Sequence, residues 1–182
     1  ALSKLVDKEV QVKIPRAELF DKKELTDSLG GPKNVVVSIY SHLTGDITGQ
    51  VLFLFKRDDA IRLVDLLTGK KKENKHFDPY SESAFGEMAN IFTGSYLSAL
   101  SELFSMTIMP GIPVVATDYI GPITEYVWGR LKKPEEKMLC FTTTITVDNN
   151  DVNGDFVFMF DSDSYKLMVD KLEKKYGVQS SP

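Results

Sequence analysis

An internal duplication is the feature of this 182-residue sequence that most constrains its fold. The heptapeptide Gly49–Phe55 (GQVLFLF) recurs 105 positions later as Gly154–Phe160 (GDFVFMF). The dipeptide Ile14-Pro15 recurs 98 positions later as Ile112-Pro113. Chance could produce one such match, but two matches in the same order favour duplication. The second copy is therefore seven residues longer than the first, because the offset grows from 98 to 105.

The duplication predicts a single domain over residues 1–182, made of two pseudo-symmetric halves, 1–77 and 78–182. Each half is predicted to contain a helix, a strand, a long connection, a β-hairpin and a closing helix. The predicted strands are 9–14, 34–42, 50–55, 106–115, 139–147 and 155–160, and the strand over 106–115 is expected to be broken by Pro110 and Pro113. The first of them is expected to stop at Pro15, and the second hairpin to turn over residues 148–154. The predicted closing helices are 60–68, capped by 57–59, and 164–176, capped by 161–163.

Composition argues against several classes of protein. The net charge is -4 at pH 7, which gives no sign of a nucleic-acid-binding surface. No apolar run approaches the length of a membrane-spanning helix and no signal-peptide pattern is seen, so we expect a cytoplasmic protein without membrane insertion. The single cysteine, Cys140, is expected to be a small buried core residue. His42 and His76 lack partner spacing, so no metal site is expected.

The stretch Tyr80–Phe104 is predicted to form one long helix with two different faces. At about 100° per residue, an apolar side is predicted to face a core, formed by Phe85, Met88, Ala89, Phe92, Tyr96, Ala99, Leu100 and Leu103. The other side carries a narrow stripe of Ser83, Glu87, Asn90, Gly94, Ser98 and Ser101. Because Ser83, Glu87 and Asn90 are spaced four and three apart, they are expected to point the same way.

This stripe has two interpretations. It could be a solvated helix face whose glycine and serines allow close approach of another helix, and the pattern alone favours this interpretation. Gly94 favours a binding surface, because a glycine inside a helix costs about 0.5–1 kcal/mol relative to alanine. An exposed Gly94 is more easily explained if a partner must come close to the backbone there.

The motif residues resemble those of a known family. Ser83, Glu87 and Asn90, followed after 22 intervening residues by Pro113, resemble the active-centre signature of the CheC/CheX/FliY phosphatases. The resemblance extends over essentially the whole chain, including the duplicated halves, and it is closest to the CheC branch. It implies an α+β fold of two pseudo-symmetric halves, in which long helices flank an antiparallel β-sheet. It also implies dephosphorylation of the chemotaxis response regulator CheY and binding of the receptor deamidase CheD.

The resemblance also implies roles for the individual residues. Asn90 would position the attacking water, since a carboxamide both donates and accepts hydrogen bonds. Glu87 would pair with the active-site Lys of the regulator and anchor the docking. Ser83 would cap or tune Glu87, Pro113 would be architectural, and Gly94 would give the partner access. The chain would need no cofactor of its own, because the Mg²⁺ is expected on CheY.

The sequence departs from the family pattern in one respect. CheC proteins carry two such centres, yet the counterpart of Asn90 would fall nine positions before residue 1. The first motif helix is therefore expected to be truncated here, or the protein has one centre. A non-catalytic flagellar-switch module like FliM or FliY, or a CheD-binding adaptor, is the alternative function.

Overall fold

The computed structural model describes residues 10–69, 77–132 and 138–176. Within these ranges the strands are β1 (Val10–Phe20), β2 (Val35–Gly45), β3 (Gly49–Lys56), β4 (Ile108–Pro110), β5 (Val114–Tyr119), β6 (Met138–Val147) and β7 (Asn150–Phe160). The helices are α1 (Lys22–Ser28), α2 (Arg57–Thr68), α3 (Pro79–Phe104), α4 (Ile120–Trp128) and α5 (Ser162–Tyr176). The start of the first half and His76 lie outside the described residues.

The strands form one antiparallel sheet with helices on both faces. The strand order is β1-β6-β7-β3-β2-β4, and β5 also pairs with β2. One core cluster joins α2, α3 and α5 to one face of the sheet, through residues that include Leu63, Phe92 and Met168. A second cluster joins α1 and α4 to the opposite face, through Leu25 and Val127 among others. The predicted α+β fold with an antiparallel sheet flanked by helices is confirmed.

The pairing register in the middle of the sheet follows the sequence repeat. Leu52 on β3 pairs with Val157 on β7, and these two residues are counterparts at the offset of 105, since 157 − 52 = 105. The local twofold relation between the two hairpins therefore passes between β3 and β7. The register does not test the division of the chain into halves at residues 77 and 78, which stays a prediction.

The predicted end of the first strand at Pro15 is wrong. Strand β1 continues to Phe20, and its pairing with β6 shifts between Lys13, opposite Thr144, and Arg16, opposite Thr142. Two residues of β1 therefore lie opposite one residue of β6, which is a β-bulge. A bulge can accommodate a proline without breaking the ladder on either side, so the strand survives.

The predicted seven-residue turn of the second hairpin is also wrong. Only Asp148 and Asn149 form this turn, with φ values of 46° and 64°. Positive φ at both central residues is typical of the tight two-residue turn whose twist matches that of the strands, and Asp and Asn tolerate it. Strand β7 consequently begins at Asn150. The predicted break at Pro110 and Pro113 is confirmed, since β4 ends at Pro110 and β5 begins at Val114, but β5 continues beyond the predicted end to Tyr119.

Some helix boundaries differ from the prediction, and two helices were missed. Helix α2 begins at Arg57, and Lys56 at its N-cap makes no side-chain capping bond, so the predicted cap at 57–59 is wrong. Helix α5 begins two residues before the predicted start. The missed helices are α1 and α4. Helix α1 has a recognisable signal, because Asp21 and Glu24 form a reciprocal capping box at its start.

Candidate functional site

The motif helix α3 begins at a strong capping site. The Asp78 side chain accepts hydrogen bonds from the backbone N–H and the hydroxyl of Ser81, each at 2.8 Å. Pro79 occupies the first helical turn, where its missing N–H costs nothing. The helix ends at Ser105, which adopts the left-handed conformation with φ 51°. The sequence around residue 78 therefore fixes where the motif helix starts.

Aromatic packing holds α3 against the sheet. Phe85 is fully buried and packs edge-on against Phe55 of β3, with ring centroids 5.1 Å apart. Two turns later, Phe92 lies 6.1 Å from Phe53 on the same strand. Tyr96 packs on Phe156 of β7 at 4.3 Å. These three contacts, spread over about three helical turns, fix the rotation of the helix about its axis, and hence the direction of its outer face.

Glu87 and Asn90 are both exposed on the outer face of α3. Met88 and Ala89, which lie between them in sequence, are buried at 2% and 0% exposure. Residues three apart on a helix differ by about 60° in direction and about 4.5 Å in height, so one partner surface can reach both side chains. The predicted exposure of this pair above a buried row is confirmed. The predicted apolar side is only partly correct, because Ala99 and Leu103 are exposed, while Thr93 and Leu97 are buried.

Ser83 and Gly94 extend the exposed face on either side of this pair. Ser83 is exposed one turn before Glu87. Gly94 is exposed one turn after Asn90, and a Cβ atom added there would have no neighbouring atom within 4 Å. Gly94 therefore leaves open space above the helix, and packing among the residues that the structure describes does not explain the glycine.

Pro113 lies in the connection between β4 and β5 and is half-buried. The backbone just before it is fixed, because Gly111 N–H donates to the His42 carbonyl at 2.8 Å and the Ser41 hydroxyl donates to the Gly111 carbonyl at 2.9 Å. Two residues beyond Pro113, the Val115 side chain lies 3.5 Å from where a Cβ of Gly86 would stand. The strand that Pro113 introduces thus lies against α3 beside Glu87. This arrangement is compatible with the architectural role predicted for Pro113.

Cys140 lies in the core and is 1% exposed, as predicted. Its burial raises the pKa of the thiol to about 12, and the negative charges of Asp155 and Glu18 act in the same direction. A thiol held in its neutral form is a poor nucleophile, so Cys140 is a structural residue. Among the described residues, no group of three or more His, Cys, Asp or Glu side chains could hold a metal ion.

Tyr80 is one of several exposed residues of α3 that belong to neither the predicted apolar side nor the stripe. Tyr80 is 47% exposed and lies two turns before Glu87, pointing in nearly the same direction. Its seven-residue spacing from Glu87, repeated between Glu87 and Gly94, was available in the sequence. Of the helices in the described ranges, none is long and apolar enough to cross a membrane.

Comparisons with known proteins agree with the motif. The family model described as "Chemotaxis phosphatase CheX" matches residues 37–127, half of the chain. The "CheY-P phosphatase CheC" of Bacillus subtilis (strain 168) is 30% identical over 148 residues, which cover 80% of this chain and 71% of that protein.

Two solved structures share the fold. FliY of Thermotoga maritima superposes with a TM-score of 0.74 at 20% identity, covering 96% of this chain and 87% of that one. The FliM middle domain of Vibrio alginolyticus gives a TM-score of 0.63 at 15% identity, covering 93% and 89%. At these identities the similarity shows the fold alone. The family model and the CheC relative, together with the motif on α3, show that the chain belongs to the CheC/CheX/FliY family of chemotaxis phosphatases.

Proposed function

We propose that this protein hydrolyses the aspartyl phosphate of the response regulator CheY. The observation that carries the proposal is the exposure of Glu87 and Asn90 together on one face of a helix whose rotation is fixed by buried aromatic residues. The B. subtilis relative, named as a CheY-P phosphatase, supports the same substrate. A carboxamide and a carboxylate presented on a convex helix suit a reaction centre that lies on the partner protein.

Asn90 positions the attacking water in this proposal. An aspartyl phosphate is an activated acyl phosphate, so hydrolysis needs an in-line water more than it needs strong acid or base catalysis. The Asn90 carboxamide accepts a hydrogen bond from the water and can donate one to a phosphoryl oxygen. The water oxygen forms a bond to phosphorus and the bond from phosphorus to the acyl oxygen breaks. The regulator's carboxylate and inorganic phosphate are released, and the water proton passes to solvent or phosphate.

Glu87 docks the regulator. A carboxylate next to the phosphoryl group would be repelled by its charge, so Glu87 suits a cationic partner instead. The active-site Lys of the regulator is the partner that the family resemblance implies, and pairing with Glu87 would hold the two proteins in register. Ser83 tunes Glu87 from one turn away, and Pro113 supports the strand that packs beside it.

The chain supplies neither a covalent intermediate nor a cofactor in this mechanism. The Mg²⁺ that neutralises the phosphoryl charge belongs to the regulator. Further elements of the proposal are the deamidase CheD as a second partner and the cytoplasm as the place of action. Both are expectations from the family resemblance.

Phosphate release from phosphorylated CheY tests the proposal. The purified protein should accelerate release above the spontaneous rate of the regulator, and the Asn90→Ala variant should lose most of this acceleration. Equal release with and without the wild-type protein would overturn the proposed activity.

A non-catalytic switch or adaptor module is the alternative function. The FliM middle domain shares the fold, but at 15% identity this similarity does not separate the two functions. The exposed Glu87 and Asn90 favour the enzyme, because a purely structural module does not need this pair. A protein that binds the regulator or CheD without accelerating phosphate release would be the adaptor.

A further inference from the structure

The turn between β4 and β5, residues 111–113, is held to β2 by two hydrogen bonds at one residue. The Gly111 N–H donates to the His42 carbonyl at 2.8 Å. The Ser41 hydroxyl donates to the Gly111 carbonyl at 2.9 Å. The nitrogen of Pro113, the last residue of the turn, carries no proton and cannot add a further bond of this kind. Gly111 therefore anchors the turn to β2 through both of its backbone polar groups.

Ser41 is buried on the face of β2 that carries α3. It is 3% exposed, and the residues two positions away on the same face of the strand, Ile39 and Leu43, belong to the core cluster beneath α3. The other possible acceptor for its hydroxyl, the His42 carbonyl, is farther away at 3.3 Å. Because an unpaired buried hydroxyl costs free energy, Ser41 favours the turn conformation that brings the Gly111 carbonyl within reach.

The segment from β4 to β5 runs beside α3 in the opposite direction. Strand β4 begins at Ile108, only four residues after the helix ends at Phe104. Val115 of β5 lies near the other end of the helix, 3.5 Å from where a Cβ of Gly86 would stand. Both strands contact α3. The residues between Ile108 and Val115, which include the turn, therefore lie alongside the part of the helix that contains Asn90.

Pro113 comes level with Asn90 along this path. Pro113 precedes Val115 by two residues, which is about 7 Å in an extended chain. Asn90 follows Gly86 by four residues, which is about 6 Å along a helix. Since Val115 lies at Gly86 and the two segments run in opposite directions, the turn is placed beside the exposed Asn90 side chain.

We propose that Ser41 is a positioning residue for hydrolysis of the aspartyl phosphate: its hydroxyl fixes the turn, and the fixed turn limits the directions that the Asn90 carboxamide can take. This inference rests on the proposed function, in which Asn90 holds the attacking water. A water held by one carboxamide is in line with the phosphorus for only a narrow range of side-chain directions. Freeing the turn should therefore lower turnover and leave binding unchanged, since the buried Ser41 side chain cannot touch the regulator.

An isosteric pair of substitutions isolates the Ser41 hydroxyl. Ser41→Thr keeps the hydroxyl, and Ser41→Val replaces it with a methyl group of similar size, so the two variants differ by one hydrogen bond. Turnover at saturating phosphorylated CheY should be about three- to tenfold lower in Ser41→Val than in Ser41→Thr, the equivalent of that bond. Ser41→Ala should show the same loss relative to wild type without added bulk. The affinity for beryllofluoride-activated CheY, which cannot be turned over, should change less than about twofold in all three variants.

Ser38→Ala is the matched control. Ser38 is also fully buried on β2, and its hydroxyl donates to the Ala116 carbonyl at 3.2 Å, on β5 and outside the turn. This variant loses a hydrogen bond to the same edge of the sheet, so its urea midpoint should fall. Its turnover per folded molecule should stay within about twofold of wild type, because the turn keeps both of its bonds to β2.

The outcomes separate this inference from the proposed function. Equal turnover of Ser41→Thr and Ser41→Val, or equal losses of turnover in Ser41→Ala and Ser38→Ala, would overturn the inference while phosphate release by the wild-type protein still supports the proposed function. A loss of affinity in Ser41→Val that matches its loss of turnover would also overturn it. If the wild-type protein does not accelerate phosphate release, the proposed function fails and this inference fails with it. The comparison of Ser41→Thr with Ser41→Val keeps the test decisive if circular dichroism shows that Ser41→Ala is poorly folded.

Discussion

Gly154 of β7 lies against the ring of Phe55 of β3, and a Cβ added to Gly154 would stand 2.4 Å from the Phe55 Cε1 atom. Phe55 in turn packs on Phe85 of α3, so this close approach lies directly beneath the motif helix. The symmetry-related glycine, Gly49, is also closely packed, but against backbone atoms of Met159 and Phe160. Both glycines of the repeated heptapeptide therefore make room for neighbouring strands.

Gly154→Ala should destabilise the protein by about 1–3 kcal/mol, the usual cost of overpacking a core. The Phe55 ring is 1% exposed and cannot move aside without displacing Phe85. Urea denaturation of both proteins measures the difference. Gly94→Ala is the matched control and should be stabilising by up to about 1 kcal/mol, because its Cβ meets only solvent. Equal urea midpoints for Gly154→Ala and wild type would contradict the interpretation that a Cβ at residue 154 overpacks the core against Phe55.

The long helix and its exposed pair were predictable because they depend on local pattern. A 3.6-residue period of apolar side chains fixes the buried row through Phe85, Met88 and Phe92, and the same period places Glu87 and Asn90 outside. The far end of the helix was not predictable from this period. Helix α3 has 26 residues and is about 39 Å long, so its last turns lie over different neighbours from its first.

The hairpin turn shows why other boundaries were missed. Glycine commonly marks a turn, so the sequence predicts that Gly154 closes the turn of the second hairpin. Its real function is to accommodate Phe55 from the neighbouring strand, a contact between residues 99 positions apart (154 − 55). The actual turn uses Asp148 and Asn149, which tolerate positive φ without glycine. The role of a residue such as Gly154 depends on contacts with residues that are distant in sequence. These contacts cannot be identified from a single sequence.

Asp78→Ala should lower the free energy of unfolding by about 0.5–2 kcal/mol, because Asp78 satisfies the backbone N–H of Ser81 at the start of α3. Phosphate release per folded molecule should stay near wild type, since Glu87 lies more than two turns further along the helix. Urea denaturation and the release assay measure the two effects. Asp78→Asn retains a capping side chain, so its free energy of unfolding and its phosphate release should both be close to those of wild type. A stability loss in Asp78→Asn equal to that in Asp78→Ala would show that capping is not the cause.

The stability of the folded protein should fall as the pH rises above about 8.5. The pKa of the Cys140 thiol is about 12 in the folded protein, against about 8.5 in the unfolded chain. Between these values the unfolded chain releases a proton that the folded chain keeps, so alkali favours unfolding by up to about 1.4 kcal/mol per pH unit.

Urea midpoints at pH 8 and pH 10 measure this dependence, and Cys140→Ala supplies the reference for all other titrating groups. The decrease in the urea midpoint from pH 8 to pH 10 should be larger in wild type than in Cys140→Ala. The thiol should also resist alkylation by iodoacetamide at pH 8 until the protein unfolds. Identical pH dependence in the two proteins would mean that the thiol titrates normally.

Asn90→Ala and Glu87→Ala should fail in different ways, although the two residues are only one turn apart. Asn90→Ala removes an oriented polar group that acts on the attacking water, so turnover should fall by about 10²–10³ while regulator binding is retained. Glu87→Ala removes one partner of a charge pair at the interface, so it should weaken binding, and this loss should diminish at high salt.

Titrating each variant with phosphorylated CheY and following phosphate release separates the maximal rate from the concentration of half-saturation. Binding to the beryllofluoride-activated regulator gives the affinity independently of turnover. Ser95→Ala is the matched control, since Ser95 is exposed on the same helix but lies outside the stripe. If Asn90→Ala releases phosphate as fast as wild type, Asn90 does not position the water. Equal affinity of wild type and Glu87→Ala would remove Glu87 from the docking surface and leave only its effect on turnover to be explained.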